Sequence, residues 1–93
     1  MFEGNPIVKP ALTVAARIIG EQAYVLDPGE GKLERLNAVG TYVWGLIANG
    51  DRHFEDLHSA VIETFDVDAE TARKDLIDFL ETLRGKRMID LID

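Results

Sequence analysis

The sequence predicts an α+β domain in which a three-stranded antiparallel sheet is followed by three helices. Three observations predict it. β-Branched residues cluster in the first third of the chain, a strong turn signal separates two strand-like segments there, and three segments with helical apolar spacing fill the chain after Leu36. The 93 residues are expected to form one domain over 1–93, because hydrophobic residues at 46% and charged residues at 29% are the proportions of an ordinary globular protein.

The first strand is expected from Thr13 to Ile19, where Thr-Val-Ala-Ala-Arg-Ile-Ile ends at the break Gly20-Glu21. A second follows at Gln22 to Leu26. Asp27-Pro28-Gly29-Glu30-Gly31 then reads as a hairpin turn: proline presets φ, glycine permits φ > 0, and Asp bonds the backbone that follows it. Lys32 to Leu36 alternates polar and apolar as the third strand, with Leu33 out of phase with an inward Leu36. Asn37 caps a first helix from Ala38 to Ala48, whose apolar face is Val39, Val43, Leu46 and Ile47 with Tyr42 and Trp44 on its flanks, and Asn49-Gly50 is expected to stop it in the αL conformation. The second helix spans Phe54 to Phe65 behind a poor cap, His53, and its stripe is Phe54, Leu57, Val61, Ile62 and Phe65. Asp68 caps the third, which carries Ala72, Leu76, Phe79, Leu80 and Leu83 and is expected to stop at Gly85, with Arg84, Lys86 and Arg87 complementing its negative end. Met88 to Ile92 reads as an extended tail returning to the core. This β-β-β-α-α-α order, with a tight turn from Phe65 to Asp68, is winged helix-turn-helix-like.

Composition excludes several functions. The absence of cysteine removes disulfides, thiolate catalysis and Cys-ligated metals, and suits a reducing compartment. Seventeen acidic against ten basic residues give a charge of −7, which disfavours nucleic acid and anionic membrane as partners. The first fifteen residues lack the apolar run of a secretory signal, and the uncharged stretch from Leu36 to Gly50 is too short to span a bilayer, so a cytoplasmic location is expected.

Chemistry-bearing residues are sparse. His53 and His58 are five apart, a spacing that does not share a helix face as paired ligands do, and both read as surface or helix-end histidines. Ser59, the only serine, lies within a helix beside His58, which points about 100° away. Asp75, Asp78 and Glu81 read as a solvated face; Gly29 and Gly31 are turn residues without the helix and lysine of a phosphate loop. No enzyme activity, metal or cofactor is expected. The third helix would be the DNA-reading element of such a fold, but Asp75, Asp78 and Glu81 would face phosphates. Peptide binding fits better, because Lys32 to Leu36 is a candidate edge strand with unpaired N–H and C=O groups; its charges equally serve to protect such an edge from aggregation.

The chain is similar to the PqqD family, the small proteins named for pyrroloquinoline quinone biosynthesis protein D. The resemblance is carried by Leu36-Asn37 opening a helix, Gly40, Trp44, Gly50, Leu57 to Phe65, Val67, then Asp75, Phe79, Leu80 and Leu83, and a final Met88-Ile89, and it extends from about Pro10 to Leu91. It implies a non-catalytic RiPP precursor peptide recognition element. Such a domain binds the leader segment of a ribosomally made precursor peptide and presents it to a modifying enzyme, in the founding pathway a radical S-adenosylmethionine enzyme. The resemblance further implies that the peptide adds as a strand to Lys32, Leu33, Glu34, Arg35 and Leu36, against a helix side drawn from Arg73, Leu76, Ile77, Leu80 and Arg84. Leu76 and Leu80 equally satisfy simple core packing, while Arg73 or Arg84 could pair with an acidic leader residue. The alternative is a small regulatory or structural domain that binds a protein through the same surface.

Overall fold

Asp27 closes the hairpin. Its buried carboxylate accepts the backbone N–H of Gly29 at 2.9 Å and of Glu30 at 3.3 Å, its carbonyl accepts Gly31 N–H at 2.8 Å, and Gly31 takes φ 69°. The computed structural model describes residues 4–12 and 14–92. Its elements are β1 (Ile7–Pro10), β2 (Ala16–Ile19), β3 (Gln22–Asp27), β4 (Lys32–Arg35), α1 (Ala38–Ala48), β5 (Arg52–His53), α2 (Phe54–Phe65), α3 (Ala69–Gly85) and β6 (Ile89–Ile92).

The three predicted strands form one antiparallel sheet in the order β2-β3-β4, and the three predicted helices follow. Arg17 faces Tyr24 across one ladder and Leu33 faces Leu26 across the other. The first strand is shorter than expected. Thr13 lies outside the described residues, and Val14 N–H bonds Ala11 carbonyl at 3.1 Å, so the chain turns before it joins the ladder.

A second sheet, in the order β5-β1-β6, goes beyond the expected architecture. Ile7 faces Ile92 on one side and His53 on the other, and Pro10 faces Ile89. The returning tail is therefore a strand, paired with an N-terminal segment that carries no period-two signal. Val8, fully buried, plants this sheet in the same apolar cluster as Val25, Trp44, Leu57, Leu80 and Ile89.

Helix ends explain the remaining differences. Asn37 caps α1 as predicted, accepting Gly40 N–H at 2.8 Å. At the other end Asn49 is right-handed rather than αL, and its side-chain amide donates to Gly45 carbonyl at 2.9 Å, which stops the helix at the expected residue by another route. Trp44 is buried while Val39 and Leu46 are half-buried, so the core face of α1 is rotated from the expected one. For α2, His53 makes no side-chain cap bond. Asn5 Oδ1 instead accepts Glu55 N–H at 2.8 Å and Pro6 carbonyl accepts Phe54 N–H at 2.8 Å, so the segment leading into β1 caps this helix. Asp68 caps α3 as predicted, accepting Thr71 N–H at 3.0 Å. α3 ends at Gly85 as expected, but the left-handed residue that closes it is Arg87, at φ 62°. Met88 N–H then bonds Leu83 carbonyl at 2.9 Å and Arg87 N–H bonds Arg84 carbonyl at 3.0 Å. This is a Schellman closure, and the buried side chains of Met88 and Leu83 supply its hydrophobic contact in place of a glycine signal.

Candidate functional site

β4 lies at the edge of its sheet. Leu36 N–H bonds Ala23 carbonyl at 3.0 Å, which sets the phase of the β3–β4 ladder. Hydrogen-bonded pairs alternate along an antiparallel ladder. With Glu34 opposite Val25 and Lys32 opposite Asp27, the main chain of these two residues turns toward β3, and that of Leu33 and Arg35 turns to the open edge. The side chain of Leu33 is 60% exposed on the outer face, while Leu36 is buried.

The corner after β4 is braced by residues to which the sequence reading gives no role. Gln22 Nε2 donates to Leu36 carbonyl, Thr41 Oγ1 donates to the same carbonyl at 3.4 Å, and Ala23 N–H donates to Thr41 Oγ1 at 3.1 Å. Two strands and the first turn of α1 are thus joined at one point, which sets the direction of the edge.

Helix α3 approaches this edge with one flank. Its buried stripe, Ala72, Leu76, Leu80 and Leu83, separates two sides that 100° per residue sets apart. Asp75, Phe79, Thr82 and Lys86 are on one side, and Lys86 forms an ion pair with Glu34 of β4. The hydrogen bond to Glu34 raises the Lys86 ammonium above its ordinary pKa; desolvation opposes it, and the negative charges of Glu34, Asp27 and Glu30 add to the rise. Two cavities meet along this side. One of about 270 Å³ is lined by Glu34, Arg35, Leu36, Thr82, Leu83 and Lys86; another of about 290 Å³ is lined chiefly by Val39, Gly40, Val61, Phe65, Val67 and Leu76; Asn37 and Phe79 belong to both. Gly40 permits the close approach here, because a Cβ at that position would lie 2.8 Å from Phe79 Cε1.

The structure brings Lys32, Leu33, Glu34, Arg35 and Leu36 to this edge but divides the expected helix residues. Leu76 and Leu80 are core, although Leu76 also floors the second cavity. Arg73, Ile77 and Arg84 lie on the other side of α3. Arg73 makes a bidentate pair with Glu55 of α2, with a shortest contact of 2.9 Å, and sits 5.1 Å from the centroid of the Phe54 ring. Ile77 lines a separate concavity of about 510 Å³ with Glu70, Thr71, Arg73, Lys74 and Asp78 on the outward surface of α3. His58, half-buried, bridges Ala69 carbonyl at 2.7 Å and so joins α2 to the start of α3. Phe79 and Lys86 are cleft residues that the sequence places in the core stripe and the dipole complement, and Thr82 is a cleft residue to which it gives no role. Their only local signal is a shared i, i+3, i+7 flank, which does not say what that flank faces.

Among the described residues no three His, Asp or Glu side chains are grouped to hold a metal, and no helix is long and apolar enough to cross a membrane. No curated protein matches the chain in sequence. The solved structure of TbiB1 in complex with the TbiA(beta) leader peptide is similar to it, with a TM-score of 0.79 and 30% identity over 88% of this chain and 94% of that one. The family described as coenzyme PQQ synthesis protein D (PqqD) matches residues 22–89. That span holds β3, β4, β5, all three helices and the first residue of β6, and the chain belongs to the PqqD family.

Proposed function

We propose that this chain binds the leader segment of a ribosomally made precursor peptide by strand addition to β4 and holds it for a modifying enzyme. The observation that carries the reading is an open β4 edge beside a cleft on α3, in a fold shared with TbiB1, a protein solved with a leader peptide bound. Main-chain bonds to Leu33 and Arg35 supply affinity that is tolerant of sequence, and alternate peptide side chains enter the cleft between Glu34, Phe79, Thr82 and Lys86. Leu36 lines this cleft and Leu76 floors the adjoining cavity, while Leu80 supports them from the core. Arg73, Ile77 and Arg84 take part only where a peptide continues around α3. The chain works as one non-catalytic domain without a cofactor, in the cytoplasm, and the recipient of the peptide is an enzyme of the radical S-adenosylmethionine class. Neither comparison favours the alternative, a general regulatory or structural domain.

Amide shifts on titration with synthetic leader peptides of ribosomally made precursors, the TbiA(beta) leader among them, test the reading. Leu33, Arg35 and residues 79–86 are expected to move, and the β5-β1-β6 sheet is expected to stay still. Leu33→Pro removes an N–H only from the open edge, so binding is expected to weaken about tenfold while the β3–β4 ladder survives. Shifts confined to other surfaces would overturn the reading.

A further inference from the structure

The two ends of the cleft differ in charge. The end beside β4 carries Arg35 and Lys86, the latter already paired with Glu34. The other end is an apolar cavity with Asp75 and Asp78 on its wall and no Lys or Arg in its lining, Asp78 bordering also the outward concavity that holds Arg73 and Lys74. Both aspartates are exposed, and neither carboxylate has a hydrogen-bond or ion-pair partner among the described residues. Val67, which also lines this cavity, is flanked in sequence by Asp66 and Asp68. A volume of about 290 Å³ accommodates a large aliphatic or aromatic side chain. Seating one there carries its neighbours in the peptide past Asp75 and Asp78. An acidic neighbour would add a third negative charge beside two unpaired ones; a basic neighbour pairs with them at an otherwise apolar rim, on a chain whose formal charge is −7.

We infer that the peptide taken up by this cleft carries Lys or Arg beside the apolar side chain that fills the cavity lined by Phe79, Val61 and Val67. The inference rests on the leader-binding reading above and specifies its ligand: an extended peptide with a basic flank at the apolar anchor. Acidic leader residues are directed instead to the Arg35 end. A second copy of the chain is a poor occupant, because it would bring the same negative charge to the same rim.

The test is selection from a display library of random twelve-residue peptides against the whole chain, followed by amide mapping of the selected peptides. Lys or Arg is expected to be enriched, and Asp or Glu depleted, next to a large apolar residue. A selected peptide is expected to lose about threefold to tenfold in affinity against Asp75→Asn/Asp78→Asn, and an Asp75→Lys/Asp78→Lys chain is expected to select acidic flanks instead. Circular dichroism on both variants separates this from a folding defect, which exposed positions are not expected to cause. Selected peptides that move the β4 amides without a basic flank, or with the same flank on the charge-reversed chain, overturn this inference and leave leader binding standing. A library in which no peptide moves β4 overturns the leader-binding reading itself.

Discussion

The two three-stranded sheets are built by opposite rules. The β2-β3-β4 sheet comes from neighbouring segments joined by tight turns; every residue of β2 is exposed, and β4 ends it with an open edge. The β5-β1-β6 sheet gathers strands from the start, middle and end of the chain, and it buries Val8 and Ile89 in the core. The difference teaches a division of labour. The sequence-local sheet has main-chain groups and an exposed Leu33 to spare for a ligand, while the long-range sheet closes the fold and holds the ends of the helices.

Charge placed in each sheet breaks the comparison most directly. Val8→Asp puts a carboxylate where the side chain is 0% exposed, and denaturant unfolding is expected to show a loss of about 3 to 5 kcal/mol, or no folded state at all. Leu33→Asp, on a side chain 60% exposed, is expected to change stability by less than about 0.5 kcal/mol while altering peptide binding. Equal losses from the two would mean that β4 is structural in the way β1 is.

Asn5→Ala is the next effect in size. Removing the oxygen that accepts Glu55 N–H, while leaving the backbone of Pro6 in place, is expected to cost about 1 kcal/mol in unfolding experiments. That is the cost of a helix cap, delivered from a residue far away in sequence. If hydrogen exchange at the start of α2 is unchanged in this variant, the N-terminal segment does not hold the helix.

The same division sets what was legible in the sequence. The Asp27 turn, the Asn37 and Asp68 caps and the β4 alternation each act over at most a few residues, so residue type and spacing reveal them. β1 was not legible because Ile-Val-Lys-Pro acquires strand geometry only from Ile92 and His53. Gly85 marked the end of α3 but not the way it closes, because the burial of Met88 places the αL residue at Arg87. Around the candidate site, the edge position of β4 was readable and the flank of α3 that adjoins it was not. Periodicity assigns Leu76 and Leu80 to the core stripe, but the choice between the Phe79 side and the Arg73 side is made by how α3 packs against α1 and α2. Gly40 against Phe79 and Arg73 against Glu55 are the contacts that make it.

The smallest effect separates a local cap from a distant one by pH. Asp68 is held below its ordinary pKa, first by the Thr71 backbone N–H and then by the Thr71 hydroxyl. A depressed carboxylate contributes stability that is present above its unfolded pKa and is lost as pH falls through the folded one, so the contribution of Asp68 is expected to disappear from about pH 4 downward. Thermal unfolding of the chain and of Asp68→Ala should therefore differ at pH 6 and converge toward pH 2. The Asn5 side-chain amide does not titrate, so its cap bond is expected to contribute equally at pH 5 and pH 3. A gap between the chain and Asp68→Ala that persists undiminished at pH 2 would mean that Asp68 acts through its shape rather than its charge. The local cap would then resemble the distant one in kind, and only the span of chain it crosses would set them apart.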